Sequence, residues 1–264
     1  MRFTKMQGLG NDYLYVYGPV PENVRDLCVR LSDRHFGAGS DGMIFISPSR
    51  IADFRMRIFN ADGSEAKMCG NGIRCVGRYV YEKGYTDKRR LTVETLSGIR
   101  KLNLEVHSGQ VERVSVDMGT YSVSQDRTLR LDGKDVTLTP VSVGNPHAVL
   151  FVPDAERAPV ETLGPRIEHH PDFPDGVNVE FVQVLSPGAL RMRVWERGSG
   201  VTMACGTGAC ASVGAAVEKG FCMPESPVSV RLDGGTLLVC AHTDRSLTMT
   251  GPAVTVYEGE TALC

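Results

Sequence analysis

Two four-residue turns carry the residue types best suited to proton chemistry in this chain: Cys69-Gly70-Asn71-Gly72 and Cys205-Gly206-Thr207-Gly208. A thiol is a poor base until it is deprotonated. The N-terminus of a helix, with its unsatisfied amides and the positive end of its macrodipole, favours the thiolate. The glycines let backbone N–H groups approach an anion closely, as phosphate-binding loops do. One such turn is weak evidence of function, since most buried cysteines are inert. Two at equivalent points of one chain predict a pair of working thiols. A carboxylate held between two such helix starts would find the amides of 70–71 and 206–207 aimed at it. Charge would then be drawn from its α-carbon as a carbanion forms. One thiolate could remove the α-proton while the opposite thiol delivers one to the other face, inverting the centre without pyridoxal phosphate or a metal.

The turns must be positioned by larger elements, and those elements are duplicated. Arg55-Met56-Arg57, Cys69-Gly70-Asn71-Gly72 and Glu82-Lys83-Gly84 return as Arg191-Met192-Arg193, Cys205-Gly206-Thr207-Gly208 and Glu218-Lys219-Gly220. No gap is needed between 53–84 and 189–220, and 9 of 32 positions are identical. An offset of 136 residues is far too long for a solenoid and predicts two homologous domains, each with one cysteine, on opposite sides of one cleft. The repeat extends upstream, where Gly10-Asn11-Asp12-Tyr13 resembles Gly144-Asn145-Pro146-His147. The expected domains are therefore 1–117 and 118–250, and the pattern leaves open whether 251–264 completes the first. Short alternating runs predict strands at 13–17, 42–46, 54–59, 91–96, 102–106 and 111–116. A second set is predicted at 148–152, 178–184, 190–195, 228–232, 236–239 and 247–250, with a further candidate at 254–257. Helical patterns cover 22–34, about 69–83 and about 205–219. The last two open on the cysteine turns and close on Lys-Gly, which suits an αL cap. The expected fold is α/β of the α+β type: two pseudo-symmetric domains, each a mostly antiparallel, barrel-like sheet around one central helix.

Composition narrows the partners. The chain has 264 residues, 42% hydrophobic and 23% charged, an ordinary globular balance. A net charge of −2 gives no electrostatic footprint for nucleic acid. The N-terminus lacks an apolar signal core and no run reaches membrane-spanning length, so no membrane partner and a cytoplasmic location are expected. Eight cysteines are many, yet none forms Cys-x-x-Cys, so neither a disulfide scaffold nor a structural metal is expected. Cys28, Cys75, Cys210, Cys222, Cys240 and Cys264 read as small apolar filler. No phosphate-loop or dinucleotide fingerprint is present, and no cofactor is expected.

Six segments carry a specific resemblance: FTKMQGLGND (3–12), FGAGSDG (36–42), FNADGSEAKMCGNGIRC (59–75), GNPH (144–147), GVNVEFV (176–182) and ERGSGVTMACGTGACA (196–211). Together, in this order across both halves, the chain resembles the diaminopimelate epimerase family. The resemblance implies interconversion of LL- and meso-diaminopimelate, in lysine and peptidoglycan precursor synthesis, by two cysteines without a cofactor. It also implies a diaminopimelate epimerase-like fold, a small-molecule substrate and a homodimer. Carried over by motif, Cys69 and Cys205 would be catalytic. His147 and Glu196 would tune or relay protons to them. Asn11, Asn60, Gly70, Asn71, Asn145, Asn178, Glu196, Arg197, Gly206 and Thr207 would bind substrate. Diaminopimelate carries a second amino-acid head, and Arg197 can fork onto its carboxylate while Glu196 and the asparagine carbonyls accept from its ammonium. Two departures stand out. Many family members have Gln where this chain has Gly42, and Thr207 replaces the commoner Ser while keeping the backbone donor.

Two alternatives differ in what they require. A related racemase of histidine or proline would leave the groups for a distal head unpaired. A non-catalytic binding protein would have no use for a thiol in each half.

Overall fold

The computed structural model describes residues 1–262; Cys264, expected as packing filler, lies outside the described residues. The chain divides into two compact units, one of residues 1–116 with those from 251 onward, the other of residues 117–250.

The first unit begins with β1 (Arg2–Gly8), β2 (Asn11–Tyr17), α1 (Val24–Ser32), β3 (Gly42–Pro48) and β4 (Phe54–Asn60). It continues with β5 (Glu65–Ala66), α2 (Gly70–Glu82), β6 (Arg90–Thr95), β7 (Gly98–His107) and β8 (Gln110–Thr120), whose last residues cross into the second unit. The second unit holds β9 (Ser122–Val123), β10 (Arg127–Leu131), β11 (Lys134–Ser142), β12 (Pro146–Phe151), α3 (Val160–Glu168), β13 (Asn178–Ser186) and β14 (Ala189–Glu196). After it come β15 (Gly200–Val201), α4 (Gly206–Glu218), β16 (Val228–Leu232), β17 (Gly235–Ala241) and β18 (Ser246–Gly251). The chain closes with β19 (Val254–Glu260), antiparallel to β1.

Among the described residues each unit has two parallel strand pairs, and a parallel pair needs a crossover long enough for a helix. In the first, α1 joins β2 to β3 and α2 lies between β4 and β6. In the second, α3 joins β12 to β13 and α4 lies between β14 and β16. The antiparallel pairs correspond as well: β3–β4 with β13–β14, β6–β7 with β16–β17, and β1–β2 with β11–β12. The duplication read from 53–84 and 189–220 is therefore repeated in the order and sense of the strands.

Why β3 reads as a continuous apolar run follows from this arrangement, because both its faces are covered. Met43 and Phe45 pack with Leu27, Cys28 and Leu31 of α1. Ile44 points the other way, close to Gly72 in the first turn of α2. In β13, Val179 and Phe181 pack with Val160 and Ile167 of α3. The intervening Glu180 faces Gly208 in the first turn of α4. α4 packs against β11, β12, β13, β14, β16 and β17. Its Ala209, Cys210, Ala211, Val213, Ala215 and Ala216 are all fully buried, so small side chains let a helix sit surrounded by sheet. No helix among the described residues is long and apolar enough to cross a membrane.

The central helices end alike. Gly84 has φ +74° and Gly220 φ +73°, the left-handed conformation that a β-carbon disfavours. The amides of Gly84 and Tyr85 donate to the carbonyls of Tyr81 and Val80, and those of Gly220 and Phe221 to Val217 and Ala216. Both are Schellman caps, as the Lys-Gly pairs predict. Arg74 and Arg78 of α2 donate to the carbonyls of Pro252 and Ala253, tying the entry to β19 to this helix.

Candidate active site: two cysteine-capped helix starts

Cys69 and Cys205 are the N-cap residues of α2 and α4, each with extended backbone angles. Each sulphur accepts a hydrogen bond from the amide three residues on, Gly72 or Gly208, at 3.3 Å in both cases. Serine, threonine and aspartate usually fill this role by satisfying an otherwise orphaned amide. Here a thiol does so, within the positive end of the helix field.

Cys69 bonds to a side-chain amide. Its thiol donates to Asn11 Oδ1 at 3.2 Å, and Asn11 in turn donates from Nδ2 to Asp41 Oδ2 at 2.8 Å. Asp41 also accepts from the Asp12 amide and from Arg34, which reaches Asp12 as well. Burial pushes the Asp12 carboxyl up, but hydrogen bonds from Arg34 and Lys5 outweigh it and hold Asp12 below the usual carboxylate range. The Tyr13 hydroxyl lies within hydrogen-bonding reach of Asn11 and Cys69. Burial first, then the Cys69 sulphur, pushes its pKa up, so it stays a phenol. Gly70 and Asn71 are buried in the first turn of α2, whereas Cys69 itself is half-buried. Asn60, at the end of β4, donates to Ser64 Oγ at 3.0 Å within its own turn. Opposite it, Gly42 has no room for a side chain: a β-carbon there would lie 2.0 Å from the Phe59 carbonyl oxygen. Any side chain at this position is thus excluded by the local backbone of this chain.

Around Cys205 the partners are acidic. Cys205 is 5% exposed, and burial first, then Glu196 and Glu180, raise its pKa well above the ordinary thiol value. Thr207 and the Gly208 amide oppose the shift without cancelling it. Cys205 therefore rests as a thiol even though it caps a helix N-terminus. Desolvation and two neighbouring carboxyl groups outweigh the macrodipole. Glu196, within hydrogen-bonding reach of Cys205 and bonded by Thr202 Oγ1, has its own pKa raised, chiefly by burial. Thr207 Oγ1 lies 3.6 Å from the Cys205 sulphur and accepts from Asn145 Nδ2 at 3.4 Å. Asn145 Oδ1 lies 3.1 Å from His147 Nε2, and His147 Nδ1 lies 2.7 Å from Glu180 Oε1. Asn178 spends its amide on the backbone, donating to the Pro146 carbonyl and accepting from the Arg197 amide. Exposed Arg197 is steadied by the Asp175 carbonyl, and Gly206 is buried at the first position of α4.

The second unit thus gathers Asn145, His147, Glu196, Gly206 and Thr207 around Cys205, and the first gathers Asn11, Gly70 and Asn71 around Cys69. Asn60, Asn178 and Arg197 are held by neighbouring turns rather than by either sulphur. Sequence reasoning missed Asp41, Tyr13, Thr202 and Glu180. Glu180 had a visible signal, a carboxylate inside the apolar run Val177–Val182 and two residues from Asn178, hence on its face of the strand.

The diaminopimelate epimerase family profile matches residues 3–124 and 139–256. The chain belongs to the diaminopimelate epimerase family. Diaminopimelate epimerase of Acetivibrio thermocellus is 50% identical, covering 100% of this chain and 99% of its own. Diaminopimelate epimerase of Phocaeicola vulgatus is 50% identical, covering 98% of each chain. Among solved structures, a probable proline racemase from Agrobacterium radiobacter superposes with a TM-score of 0.78 at 19% identity, covering 100% of this chain and 93% of that one. That likeness supports the fold, while the sequence relatives carry the family. As a member of this diaminopimelate epimerase family, the chain is an isomerase.

Proposed function

We propose that the chain interconverts LL- and meso-diaminopimelate by a two-base proton transfer at one α-carbon. The observation that carries this reading is the pair of matched thiol caps, Cys69 on α2 and Cys205 on α4, in a chain related over its whole length to diaminopimelate epimerases. In the proposed reaction Cys69, as thiolate, removes the α-proton from one face. The Cys205 thiol delivers its proton to the other, and the electron pair passes through a carbanion. Turnover leaves Cys69 as the thiol and Cys205 as the thiolate, the states from which the reverse reaction starts. Glu196, in reach of the Cys205 sulphur, is the group to return a proton to it as Cys69 gives one up to solvent. The α-carboxylate sits against the amides of Gly70, Asn71, Gly206 and Thr207, which stabilise the charge that spreads onto it. The second amino-acid head is bound by Asn11, Asn60, Asn145, Asn178, Glu196 and Arg197, with Arg197 taking the distal carboxylate. Two thiols of opposite protonation state suffice for this chemistry, so no cofactor is required. We further propose cytoplasmic location, a role in lysine and peptidoglycan precursor supply, and assembly as a homodimer.

The test is deuterium wash-in from D2O with LL-diaminopimelate, set against L-histidine and L-proline. Solvent deuterium should enter the α-position of diaminopimelate alone and should do so in neither Cys69→Ala nor Cys205→Ala. Exchange of proline or histidine instead would transfer the reading to a related racemase. Epimerisation by either cysteine variant would refute the two-base mechanism.

A further inference from the structure

Glu180 lies behind His147, and both side chains are fully buried. The two residues sit on adjacent parallel strands, β12 and β13, with His147 opposite Asn178 and Val149 opposite Glu180. From Glu180 a chain of polar contacts leads to the sulphur: Oε1 to His147 Nδ1, Nε2 to Asn145 Oδ1, Asn145 Nδ2 to Thr207 Oγ1, and Thr207 Oγ1 to Cys205 Sγ. A second approach is direct. A β-carbon on Gly208, whose amide caps Cys205, would lie 2.7 Å from Glu180 Oε1. The carboxyl therefore touches the turn that holds the thiol.

The donor and acceptor roles along this chain are constrained. Asn145 Oδ1 can only accept, so His147 Nε2 must carry a proton. One further proton then occupies the bond between Nδ1 and Oε1, shared by imidazolium and carboxylate or by imidazole and carboxylic acid. Either way His147 is fixed as an Nε2 donor. The other carboxyl oxygen, Oε2, is buried with no hydrogen-bond partner. A half-satisfied buried carboxyl is a poor device for stability alone, since an apolar side chain would avoid its desolvation.

We propose that Glu180 is a positioning residue for the Cys205 half of the reaction, acting through His147: it locks the ring as an Nε2 donor, and the ring aligns Asn145 and Thr207 beside the thiol. This rests on the two-thiol reading above. Gln at 180 can replace the lock, because its amide donates to Nδ1 and leaves the proton on Nε2. Met at 180 fills the space but cannot hold the ring.

The experiment uses the full chain labelled with 15N-histidine, the His147 ring signals being assigned by their loss in His147→Asn. Wild type and Glu180→Gln should both show a protonated Nε2. Glu180→Gln should keep kcat within about threefold. Glu180→Met should lose about tenfold or more in kcat at little-changed KM, the scale of one charge-assisted hydrogen bond. A bare Nε2 in the wild type would overturn the proposal without recourse to any Glu180 variant, even if Glu180→Met fails to fold. So would wild-type turnover by Glu180→Met, or a Glu180→Gln as impaired as Glu180→Met. Normal turnover by Cys205→Ala would instead defeat the two-thiol reading, and the ring spectrum, which needs no turnover, separates the two failures.

Discussion

Replacing the capping cysteines by serine and by alanine separates what the sulphur does for the fold from what it does for the reaction. Each sulphur accepts one amide hydrogen bond at 3.3 Å, and a serine hydroxyl is among the best acceptors at an N-cap. Cys69→Ser and Cys205→Ser should therefore fold as stably as the parent. Alanine removes the acceptor. At position 69, which is half-buried, water can reach the freed Gly72 amide, and the loss should be about 1 kcal/mol, the usual value for a cap. At position 205 the sulphur and Gly208 are both buried, so the orphaned amide costs about 1–3 kcal/mol. For a chain of 264 residues each kcal/mol moves the melting temperature by roughly 2–4 °C. The expected order in a thermal melt is serine at least equal to cysteine, then Cys69→Ala, then Cys205→Ala. Activity should follow a different order. A hydroxyl is much harder to deprotonate than a thiol, so both serine variants should lose at least about 10²-fold in kcat, the lower bound for a general acid–base group. Deuterium wash-in monitored by mass spectrometry reads the activity. Serine variants that melt several degrees lower would refute the capping argument. A serine variant with more than a tenth of parental turnover would refute the assignment of the sulphur as acid or base.

Equivalent glycines in the two helix starts should respond unequally to alanine. Gly72→Ala pushes against Ile44 Cδ1 and Met56 Cε, flexible ends that can give, whereas Gly208→Ala collides with Glu180, which His147 holds. Gly208→Ala should therefore lose more activity and more thermal stability than Gly72→Ala, and equal losses would contradict the packing described. Asp12 has a folded-state pKa below its unfolded value, so its contribution is present above the unfolded pKa and is lost as pH falls through the folded one. Asp12→Asn should accordingly lower the melting temperature at pH 7, with the gap closing below about pH 4, and a gap that persists in acid would show that geometry rather than charge is responsible.

The central helices were legible because their punctuation is local. A cap residue, two glycines and a closing Lys-Gly are all read within a few positions, and their recurrence 136 residues apart removed the ambiguity of a single occurrence. The helix α3 was not legible, since Gly164 and Pro165 fall inside it and both read as breakers. The reason for Gly164 is tertiary: the Trp195 side chain lies where its β-carbon would be. The hairpin of β10 and β11 was missed although Asp132-Gly133 forms a turn with positive φ at both residues. Its strands, RTLRL and KDVTLTPVS, are too polar to stand out by alternation. Within the site, the sequence pointed to the thiols but not to their surroundings. Asp41 reaches Asn11 from thirty residues away, and Glu180 reaches the Cys205 turn only because β13 lies beneath α4.

The duplicated cap and its unequal surroundings answer two different demands of the proposed reaction. Epimerisation needs a base on one face and an acid on the other, so at any moment one proton must be shared unevenly between two thiols. Two identical, coupled thiols would share a single proton equally between them, so neither would be set as the acid, and the doubly protonated and doubly ionised forms are equally useless. The caps make each sulphur able to carry charge, and the neighbours decide which one does. Cys69 is half-buried and bonds to Asn11, which Asp41 holds. Cys205 is held as a thiol by burial first and then by Glu196, in reach of its sulphur. Each turnover leaves Cys205 ionised and Cys69 protonated, and Glu196, whose own pKa is raised, is placed to return a proton to Cys205 as Cys69 gives one up to solvent. On this argument the divergence between the two copies, Asn60 in one where Glu196 stands in the other, is the change that sets the two thiols apart in the proposed reaction.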